Sequence, residues 1–323
     1  MVEATVPATG AAGRAATRRV CIAVPTFRRP ALLLRLLEGL AAQRIDPAGV
    51  EVVVLDNDRE PSARDAVAEA RERFPFRLQY LHVAEPGLST VRNAALAFAH
   101  GRCDVLAMID DDECPEPQWL AELLRIQALT GADAVVGPVP QLLPPAAPRW
   151  LRSGRFLDLP VFPDGAPIDF GYSGNCLLVL EALQRFALTF DPTFNFAGGE
   201  DMLFFRQLRA RGGRLAFAAK AIASESIGAE RTRAAFVLRL YFRRGNTLAL
   251  CDRRLGAGPR RLALRAGKAY ARLALGSLTL LPLTVVRGRA GAMNALCNAA
   301  LGIGALWGLL GHTYDAYRRS DPG

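Results

Sequence analysis

Four consecutive acidic residues, from Asp110 to Glu113, are the part of this sequence whose residue types most directly indicate chemistry. They follow the apolar segment 105–109, which is typical of a short buried strand. Adjacent carboxylates repel one another, but Mg²⁺ and Mn²⁺ bind carboxylate oxygens and commonly complete their shells with substrate phosphates. In open α/β sheets, ligands bind at the carboxyl ends of the strands. The acidic run therefore predicts a site for a divalent cation and a phosphate.

Helix capping is the alternative explanation of these acids. Asp112 or Glu113 could cap a helix that begins near Pro117, because a carboxylate accepts hydrogen bonds from the first N–H groups of a helix. Capping accounts for one acid or two, whereas a fold gains nothing from four carboxylates at the end of a core strand. We therefore favour the metal site.

The elements that must position these acids follow from the spacing of the apolar residues. Strand-like segments are predicted at 20–24, 51–55, 78–83 and 105–109, and a helix-like segment follows each of them. Four consecutive strand–helix units predict a parallel sheet with right-handed crossovers, as in nucleotide-binding α/β domains. The sequence contains no G-x-G-x-x-G and no G-K-[ST] loop, so it supports neither a dinucleotide fold nor a P-loop.

The second half of the chain has weaker signals. Residues 138–167 are proline-rich and are expected to be irregular, with Trp150 and Phe156 as anchors in the core. Beyond them the pattern predicts two strands and two helices, at 175–180, 215–218, 202–211 and 233–250. We expect 215–218 to be the last strand.

The charge of the chain is concentrated at one end. The formal net charge is +9, yet residues 1–225 carry 24 Lys and Arg against 27 Asp and Glu, and residues 226–323 carry 16 against 4. A basic C-terminal third that contains apolar segments favours an anionic membrane surface over nucleic acid. Aromatic residues are not interleaved with the basic ones as in single-strand binders, so we expect no nucleic-acid partner.

Two uncharged segments in this basic region are candidates for membrane contact. Residues 273–286 contain Pro282 and are too few to span a bilayer with confidence. Residues 290–313 are long enough, but they include five glycines and two asparagines. The two segments could form a buried helical hairpin or attach the protein to a membrane. The Arg-rich sequences on both sides favour attachment.

Cysteine and histidine content narrows the class of protein further. The six cysteines form no C-x-x-C pair, and there are only three scattered histidines, so a zinc site is not indicated. The cysteines are expected to be buried, reduced side chains of a protein in a reducing compartment. Residues 1–18 lack an apolar h-region and are expected to be a disordered leader. The predicted organisation is this leader, an α/β domain at 19–250 and a basic helical region at 251–323.

Five short motifs occur in one order along the predicted domain: Pro25-Thr26-Phe27, Asp56-Asn57-Asp58, Gly87-Leu88-Ser89 with Arg92-Asn93, Asp110-Asp111-Asp112 and Gly199-Glu200-Asp201. Together they resemble the inverting family-two glycosyltransferases of the GT-A fold, and most of all the bacterial exopolysaccharide enzymes of the succinoglycan type. The resemblance covers about residues 19–250. It implies an α/β fold with a mostly parallel central sheet, followed here by a helical, membrane-associated C-terminal region.

The resemblance also implies roles for single residues. Asp56 contacts the base of the sugar nucleotide, Arg92 lies near the base or the diphosphate, and Asp110 faces the ribose. Asp112 is the principal metal ligand, with Asp110 beside it, and Asp201 is the catalytic base. These roles agree with the chemistry, because loss of a nucleoside diphosphate requires its charge to be neutralised and the acceptor hydroxyl requires a base.

The remaining candidates are neighbours of these motifs. Pro25, Thr26 and Asp111 are assigned to donor binding, and Glu200 to the catalytic pair beside Asp201. As a further metal ligand many relatives carry a histidine after the last strand, where this chain has Ser224-Glu225-Ser226, so Glu225 is the candidate. A Q-x-x-R-W box of processive synthases is replaced by Tyr241 to Asn246, within which Arg244 could clamp a diphosphate.

The function expected from the resemblance is metal-dependent transfer of a hexosyl group. The donor is a nucleotide-diphosphate sugar, expected to be a UDP-sugar, and the acceptor a saccharide or a lipid-linked saccharide. The cofactor is Mg²⁺ or Mn²⁺, and the location is the cytoplasmic face of the inner membrane. One alternative is an inactive, membrane-bound scaffold that binds sugar nucleotides. A pyrophosphorylase is another, but it requires a G-x-G-T-R loop where this chain has Val24-Pro25-Thr26-Phe27.

Overall fold

The structure is a computed structural model, and it describes residues 18–316. The leader expected at 1–18 lies, apart from Arg18, outside the described residues. Strands are found at Val20–Thr26 (β1), Val50–Asp56 (β2), Arg77–His82 (β3), Val105–Ile109 (β4), Glu113–Pro115 (β5), Ala134–Val136 (β6), Gln141–Leu142 (β7), Pro167–Ile168 (β8), Asn175–Val179 (β9), Leu215–Phe217 (β10) and Ala223–Ser226 (β11).

Eight of these strands form the central sheet, in the order β3-β2-β1-β4-β9-β6-β10-β8. β3, β2, β1 and β4 run parallel, as do β6 and β10. β9 is antiparallel to both β4 and β6, and β8 is antiparallel to β10. The predicted α/β fold with a mostly parallel sheet is therefore confirmed.

Nine helices surround or follow this sheet in the described part of the chain. They are Pro30–Ala41 (α1), Arg64–Arg71 (α2), Leu88–Ala99 (α3), Trp119–Thr130 (α4), Arg149–Gly154 (α5), Leu180–Arg185 (α6), Glu200–Ala210 (α7), Ala234–Arg254 (α8) and Pro259–Leu309 (α9). Alternate side chains of β1 enter two separate apolar clusters, with Ile22 against α1 and α4 and Cys21 against α3. The sheet is thus covered by helices on both faces.

The expectation that 215–218 forms the last strand is wrong. β11 follows β10 and makes a second, three-stranded sheet in the order β5-β11-β7. Glu225 of β11 lies opposite Glu113 on one side and Gln141 on the other. These strands are two to four residues long, and β11 contains polar residues, so pairing with distant segments rather than local pattern stabilises them.

The C-terminal region forms a helical hairpin. α9 breaks at Gly288, whose φ of 56° and ψ of −141° lie outside the helical region, and the segments before and after it pack against each other. Gly276 approaches the backbone of Ala295 and Ala299, and a Cβ at Gly276 would lie 2.5 Å from the Ala295 carbonyl oxygen. α8 packs on the second segment and continues across the expected boundary after residue 250.

The two segments of the hairpin differ in exposure. Met293, Ala295, Cys297 and Ala305 on the second segment are buried. Leucine and valine side chains on the first segment face solvent, including Leu278 at 78% and Val285 at 77% exposure. By length and composition α9 is the one helix of the described residues that could cross a membrane, and it is folded back on itself at Gly288.

Candidate active site

The carboxyl ends of β1, β2 and β4 meet at one edge of the sheet. Thr26 at the end of β1 lies beside Asp56 at the end of β2. The Thr26 hydroxyl donates to Asp111 Oδ2 at 2.8 Å, which joins the end of β1 to the acidic run after β4. The parallel order of these strands therefore brings three of the sequence motifs together.

The acids of the run have separate partners. Asp111 and Asp112 both accept from Arg29 Nη1, at 3.3 and 3.0 Å, and Asp110 accepts from Arg92 Nη2 at 3.4 Å. Distribution of the carboxylates among two guanidinium groups and a hydroxyl reduces their mutual repulsion. Arg29 was not among the predicted site residues, although it lies three residues after Thr26 in the first motif's segment.

Capping does not explain the acids. α4 begins at Trp119, its N-cap residue is Gln118, and no side chain caps it by a hydrogen bond. Glu113 instead enters β5 and is buried. The capping interpretation of Asp112 or Glu113 is therefore wrong.

Glu113 is a site residue that the sequence did not distinguish from its neighbours. Its Oε2 is buried and has no hydrogen-bond partner in the described part of the chain. A Cβ at Gly174 would lie 2.5 Å from Glu113 Oε1 and 3.0 Å from Asp110 Oδ2, so the absence of a side chain at Gly174 leaves room for both carboxyl groups. Burial raises the pKa of Glu113 well above its usual value and that of Asp110 to about 6, and Arg92 opposes the rise at Asp110.

Arg92 connects the acidic run to the first turn of α7. It forms an ion pair with Glu200, the first residue of that helix, in addition to its contact with Asp110. Glu200 is only 3% exposed, and burial raises its pKa to about 7 although the charge of Arg92 lowers it. Asp201 is partly exposed and accepts from the backbone N–H of Met202 at 2.6 Å. The predicted motifs of α3, β4 and α7 therefore share one site.

The start of α3, and with it Arg92, is held by two asparagines. Asn57 Oδ1 accepts from the Gly87 N–H at 2.8 Å, and Asn195 Oδ1 accepts from the Thr90 N–H at 3.0 Å. A side chain at Gly87 would overlap that of Asn195, so glycine is required there. Asn195 precedes α7, so its contact with α3 fixes the start of α3 relative to the start of α7.

Asp56 is fully buried at the end of β2. Its carboxylate accepts from the Ala63 N–H at 2.7 Å, from the Tyr80 hydroxyl at 2.9 Å and from the Ser62 hydroxyl at 3.1 Å. Contact of Asp56 with a nucleotide base stays a prediction, since a base would have to replace one of these donors. Pro25 of β1 lies opposite Leu55, one position before Asp56, and is partly buried.

Glu225 is close enough to the acids to help raise the pKa of Asp110 and Glu113, but its hydrogen bonds, like the ring contact of Arg244, are made with other residues. Glu225 is opposite Glu113 in the small sheet, but its carboxylate pairs with Arg231 and accepts from Gln141 Nε2 at 2.8 Å. The Arg244 guanidinium lies 5.2 Å from the Tyr241 ring centroid, and burial lowers its pKa. Their predicted contacts, with a metal and with a diphosphate, stay predictions.

The donor set fits a divalent cation that is shared with a substrate. Within residues 18–316, no three His, Cys, Asp or Glu side chains are grouped closely enough to hold a metal by themselves. Hard oxygen ligands are nevertheless present on Asp110, Asp112 and Glu113, and one buried Glu113 oxygen forms no hydrogen bond with any described residue. Mg²⁺ is commonly bound by one or two carboxylates plus phosphate oxygens, which matches this arrangement.

Comparison with known proteins gives two sequence relatives. Residues 21–186 match the model of glycosyl transferase family 2. The chain is 40% identical over 233 residues to the succinoglycan biosynthesis protein ExoM of Rhizobium meliloti (strain 1021), which covers 72% of this chain and 74% of that protein. It is 31% identical over 109 residues to validoxylamine A glucosyltransferase of Streptomyces hygroscopicus subsp. limoneus, 33% of this chain and 23% of that protein.

Solved structures with GT-A architecture are similar over most of the chain. Mannosyltransferase PcManGT from Pyrobaculum calidifontis, in complex with GDP-Man and Mn²⁺, has a TM-score of 0.61 at 18% identity, covering 90% of this chain and 87% of that one. S. aureus TarS 1–349 in complex with UDP-GlcNAc has a TM-score of 0.52 at 16% identity, covering 92% and 93%. At these identities the likeness shows the fold, which is GT-A as predicted.

Proposed function

We infer that this chain, which belongs to glycosyltransferase family 2, transfers a hexosyl group from a UDP-sugar to a saccharide acceptor in exopolysaccharide synthesis, with inversion at the anomeric carbon. The observation that carries the proposal is the Arg92 bridge, which joins the acids after β4 to Glu200 in the first turn of α7. This bridge supports the proposal because it brings the carboxylates that would serve a diphosphate and the helix turn that would supply a base to one edge of the sheet. The name of ExoM supports the pathway, and the TarS complex supports the class of donor.

Asp112 and Asp110 would hold Mg²⁺ or Mn²⁺ in this proposal, with Glu113 behind them. When bound, the cation neutralises charge that develops on the departing diphosphate. Among residues 18–316, the ion pair of Asp112 is with the half-exposed Arg29, at 3.0 Å. An exposed pair of this kind contributes roughly 0–1 kcal/mol, so Asp112 can exchange Arg29 for another cation at little cost.

Asp201 is proposed as the catalytic base. Adjacent residues of a helix point about 100° apart, and here Glu200 is turned inward to Arg92 whereas Asp201 stays partly exposed. Asp201 would take the proton of the acceptor hydroxyl while that oxygen bonds to the anomeric carbon on the face opposite the departing diphosphate. That geometry inverts the configuration.

Glu200 and Arg92 have a positioning role in the same proposal. The buried ion pair fixes the Arg92 guanidinium at the acids, where it faces Asp110 and can reach a ribose or diphosphate. Thr26 orients Asp111. The donor would thus meet a pre-ordered edge formed by β1, β4 and α3.

Attachment to the cytoplasmic face of a membrane is proposed for the C-terminal hairpin. The hydroxyls of Ser277, Thr279 and Thr284 on its exposed segment donate to carbonyls four residues earlier, so these three hydroxyl hydrogens have acceptors within the helix itself. Arginines precede and follow the uncharged run. An amphipathic helix with these features lies in the plane of an anionic interface.

The test is a donor screen on purified full-length protein, with released nucleotide as the readout. A saccharide acceptor on a lipid diphosphate and Mn²⁺ are supplied. We expect UDP release with one UDP-sugar and a product of inverted configuration by NMR. Binding of UDP-sugars without release of UDP, whichever acceptor is supplied, would support the inactive scaffold. Formation of a nucleoside triphosphate from UDP-sugar and added inorganic diphosphate would support a pyrophosphorylase.

A further inference from the structure

Three arginines line an open cleft between α5 and the apex of the C-terminal hairpin. The cleft has a volume of about 340 Å³, and its charged residues are Arg149 on α5 and Arg287 and Arg289 on either side of the Gly288 break. The other lining residues are Pro148, Trp150, Ser153 and Ala290. None of the residues proposed for sugar transfer lies in it.

The positive charge of this cleft is not compensated within residues 18–316. All three arginines are exposed, and none forms an ion pair or a hydrogen bond with an acidic residue of that range. Other surface arginines, such as Arg125 and Arg185, do pair with aspartates. Three guanidinium groups around one cavity repel one another unless an anion lies between them, and their planar donor geometry matches phosphate oxygens.

The arginines are held together by a rigid apolar contact beneath them. Trp150, which follows Arg149, is buried in a cluster with Phe156 of the same segment and with Met293 and Cys297 of the hairpin. The Trp150 and Phe156 ring centroids are 5.7 Å apart. α5 and the apex are therefore fixed relative to each other, and the cleft is a built feature of the fold.

An exposed apolar surface begins directly beside the cleft. Val286 and Val285 precede Arg287 and are 78% and 77% exposed, and Leu281 and Leu278 continue this surface along the first segment of the hairpin. A ligand with a phosphate group in the cleft could lay an attached hydrocarbon chain on these side chains. A free anion has no hydrocarbon chain with which to contact these apolar side chains.

We propose that this cleft binds the diphosphate of a lipid-carried saccharide acceptor. Three positive charges match a diphosphate better than the single charge of a phospholipid headgroup. The segment that carries α5 begins at β7, whose Gln141 bonds Glu225 of the small sheet next to Glu113, so the saccharide would extend towards the acidic edge. The proposal rests on the proposed function and specifies its acceptor.

The experiment measures binding of farnesyl diphosphate to detergent-solubilised full-length protein. Excess UDP and Mg²⁺ are present so that the donor site is filled. The test variant combines Arg149→Gln, Arg287→Gln and Arg289→Gln. The control combines Arg44→Gln, Arg71→Gln and Arg73→Gln, which removes the same charge from exposed positions of the catalytic domain. At roughly fivefold per arginine near an anionic group, we expect about 100-fold weaker binding in the test variant and little change in the control.

Three further measurements separate the explanations. Inorganic diphosphate should bind wild-type protein more weakly than farnesyl diphosphate, and equal affinity would overturn the role of the lipid chain. Equal loss in the test and control variants would overturn the site. If the test variant loses affinity only for phosphatidylglycerol vesicles, the cleft is a headgroup site and the acceptor proposal is wrong. UDP binding should be the same in all variants, and an absence of UDP binding in wild-type protein would contradict the proposed function instead.

Discussion

The carboxylates at the edge of the sheet and the arginines at the apex of the hairpin differ in whether other residues of the chain neutralise their charge. At the edge, Asp110, Asp111 and Asp112 each have a cationic partner from the chain itself, Arg92 or Arg29. At the apex, Arg149, Arg287 and Arg289 have no acidic partner among the described residues. Carboxylates that already pair with arginines are held in place before a ligand binds. Arginines without acidic partners need an anion from outside the chain to neutralise their charge. In the proposed function the edge offers the donor a pre-ordered site, whereas the apex binds the diphosphate of the acceptor through charge that the chain does not compensate.

At the acidic edge, the largest expected effect on the rate of transfer is that of a substitution at Asp201. Asp201→Asn keeps the size of the side chain and removes its basicity, so transfer should fall by about 10²–10⁴-fold while donor affinity stays the same. Initial rates of UDP release and equilibrium UDP-sugar binding provide the measurement. Glu200→Gln is the matched comparison, and it should affect stability more than rate. Transfer at the native rate by Asp201→Asn would mean that the base lies elsewhere, with Glu200 the next candidate.

Asp112→Ala should give the next largest effect. A carboxylate-held cation is worth several kcal/mol at a developing charge, so turnover should fall by about 10³-fold. The fold should be retained, since the variant removes one carboxylate from a repelling cluster. Asp158→Ala removes an exposed, paired acid elsewhere and is the control. Full activity of the wild-type enzyme in excess chelator would contradict the assignment.

A smaller effect concerns the pH dependence of stability. Burial raises the pKa of Glu200 to about 7, so the folded protein binds a proton that the unfolded chain releases above its pKa of about 4.3. Stability from this group is therefore full below about pH 4.3 and is lost as pH rises through about 7. We expect the free energy of unfolding to fall by about 2–3 kcal/mol across this window.

Denaturant unfolding at several pH values measures this slope. Glu200→Gln should remove most of it, because glutamine does not titrate. Glu181→Gln changes an exposed glutamate and should leave the slope in place. Identical slopes in the two variants would show that Glu200 is not the group responsible.

The smallest expected effect is on the binding of the hairpin to membranes. Replacing Leu281 and Val285 by serine removes exposed apolar area. Full burial of such a side chain is worth at least about 1.5 kcal/mol, so burial of about half of each at the interface gives about 1.4 kcal/mol for the pair, and binding to anionic vesicles should weaken by about tenfold. Leu142→Ser with Val161→Ser removes similar exposed side chains from the catalytic domain. Co-sedimentation with vesicles at low salt compares the two. Equal partitioning would count against attachment through the hairpin.

The fold was predictable where the signal is local. Buried leucines at helical spacing, as in α1, and the apolar run 105–109 determine their own elements, and consecutive strand–helix units determine the parallel half of the sheet. β11 was not predictable, because Ser224 to Ser226 become a strand only through pairing with β5 and β7. A buried helical hairpin was one of two possibilities, and the break at Gly288 between two uncharged runs agrees with a hairpin, whereas the exposure of its first segment does not agree with burial.

The site was predictable as a set of motifs but not as a set of contacts. Arg92 and Glu200 were both identified, yet their ion pair joins residues 108 positions apart and has no local signature. The burial of Glu113 depends on Gly174 in a distant segment. Arg29 and Asn195 were missed for the same reason, since a surface arginine and a loop asparagine have ordinary sequence surroundings.

The close packing of α8 has a consequence for how this enzyme can be divided into modules. A side chain at Gly199, just before Glu200, would overlap Thr247 of α8, and one at Gly304 of the hairpin would overlap the Phe242 backbone of the same helix. Asn246, between those two positions, accepts from the Tyr314 N–H at 3.1 Å beyond the hairpin. One helix thus packs against both the first turn of α7 and the hairpin. The hairpin is therefore not an interchangeable anchor, and exchanging it with that of another transferase would require α8 and the start of α7 to be exchanged with it.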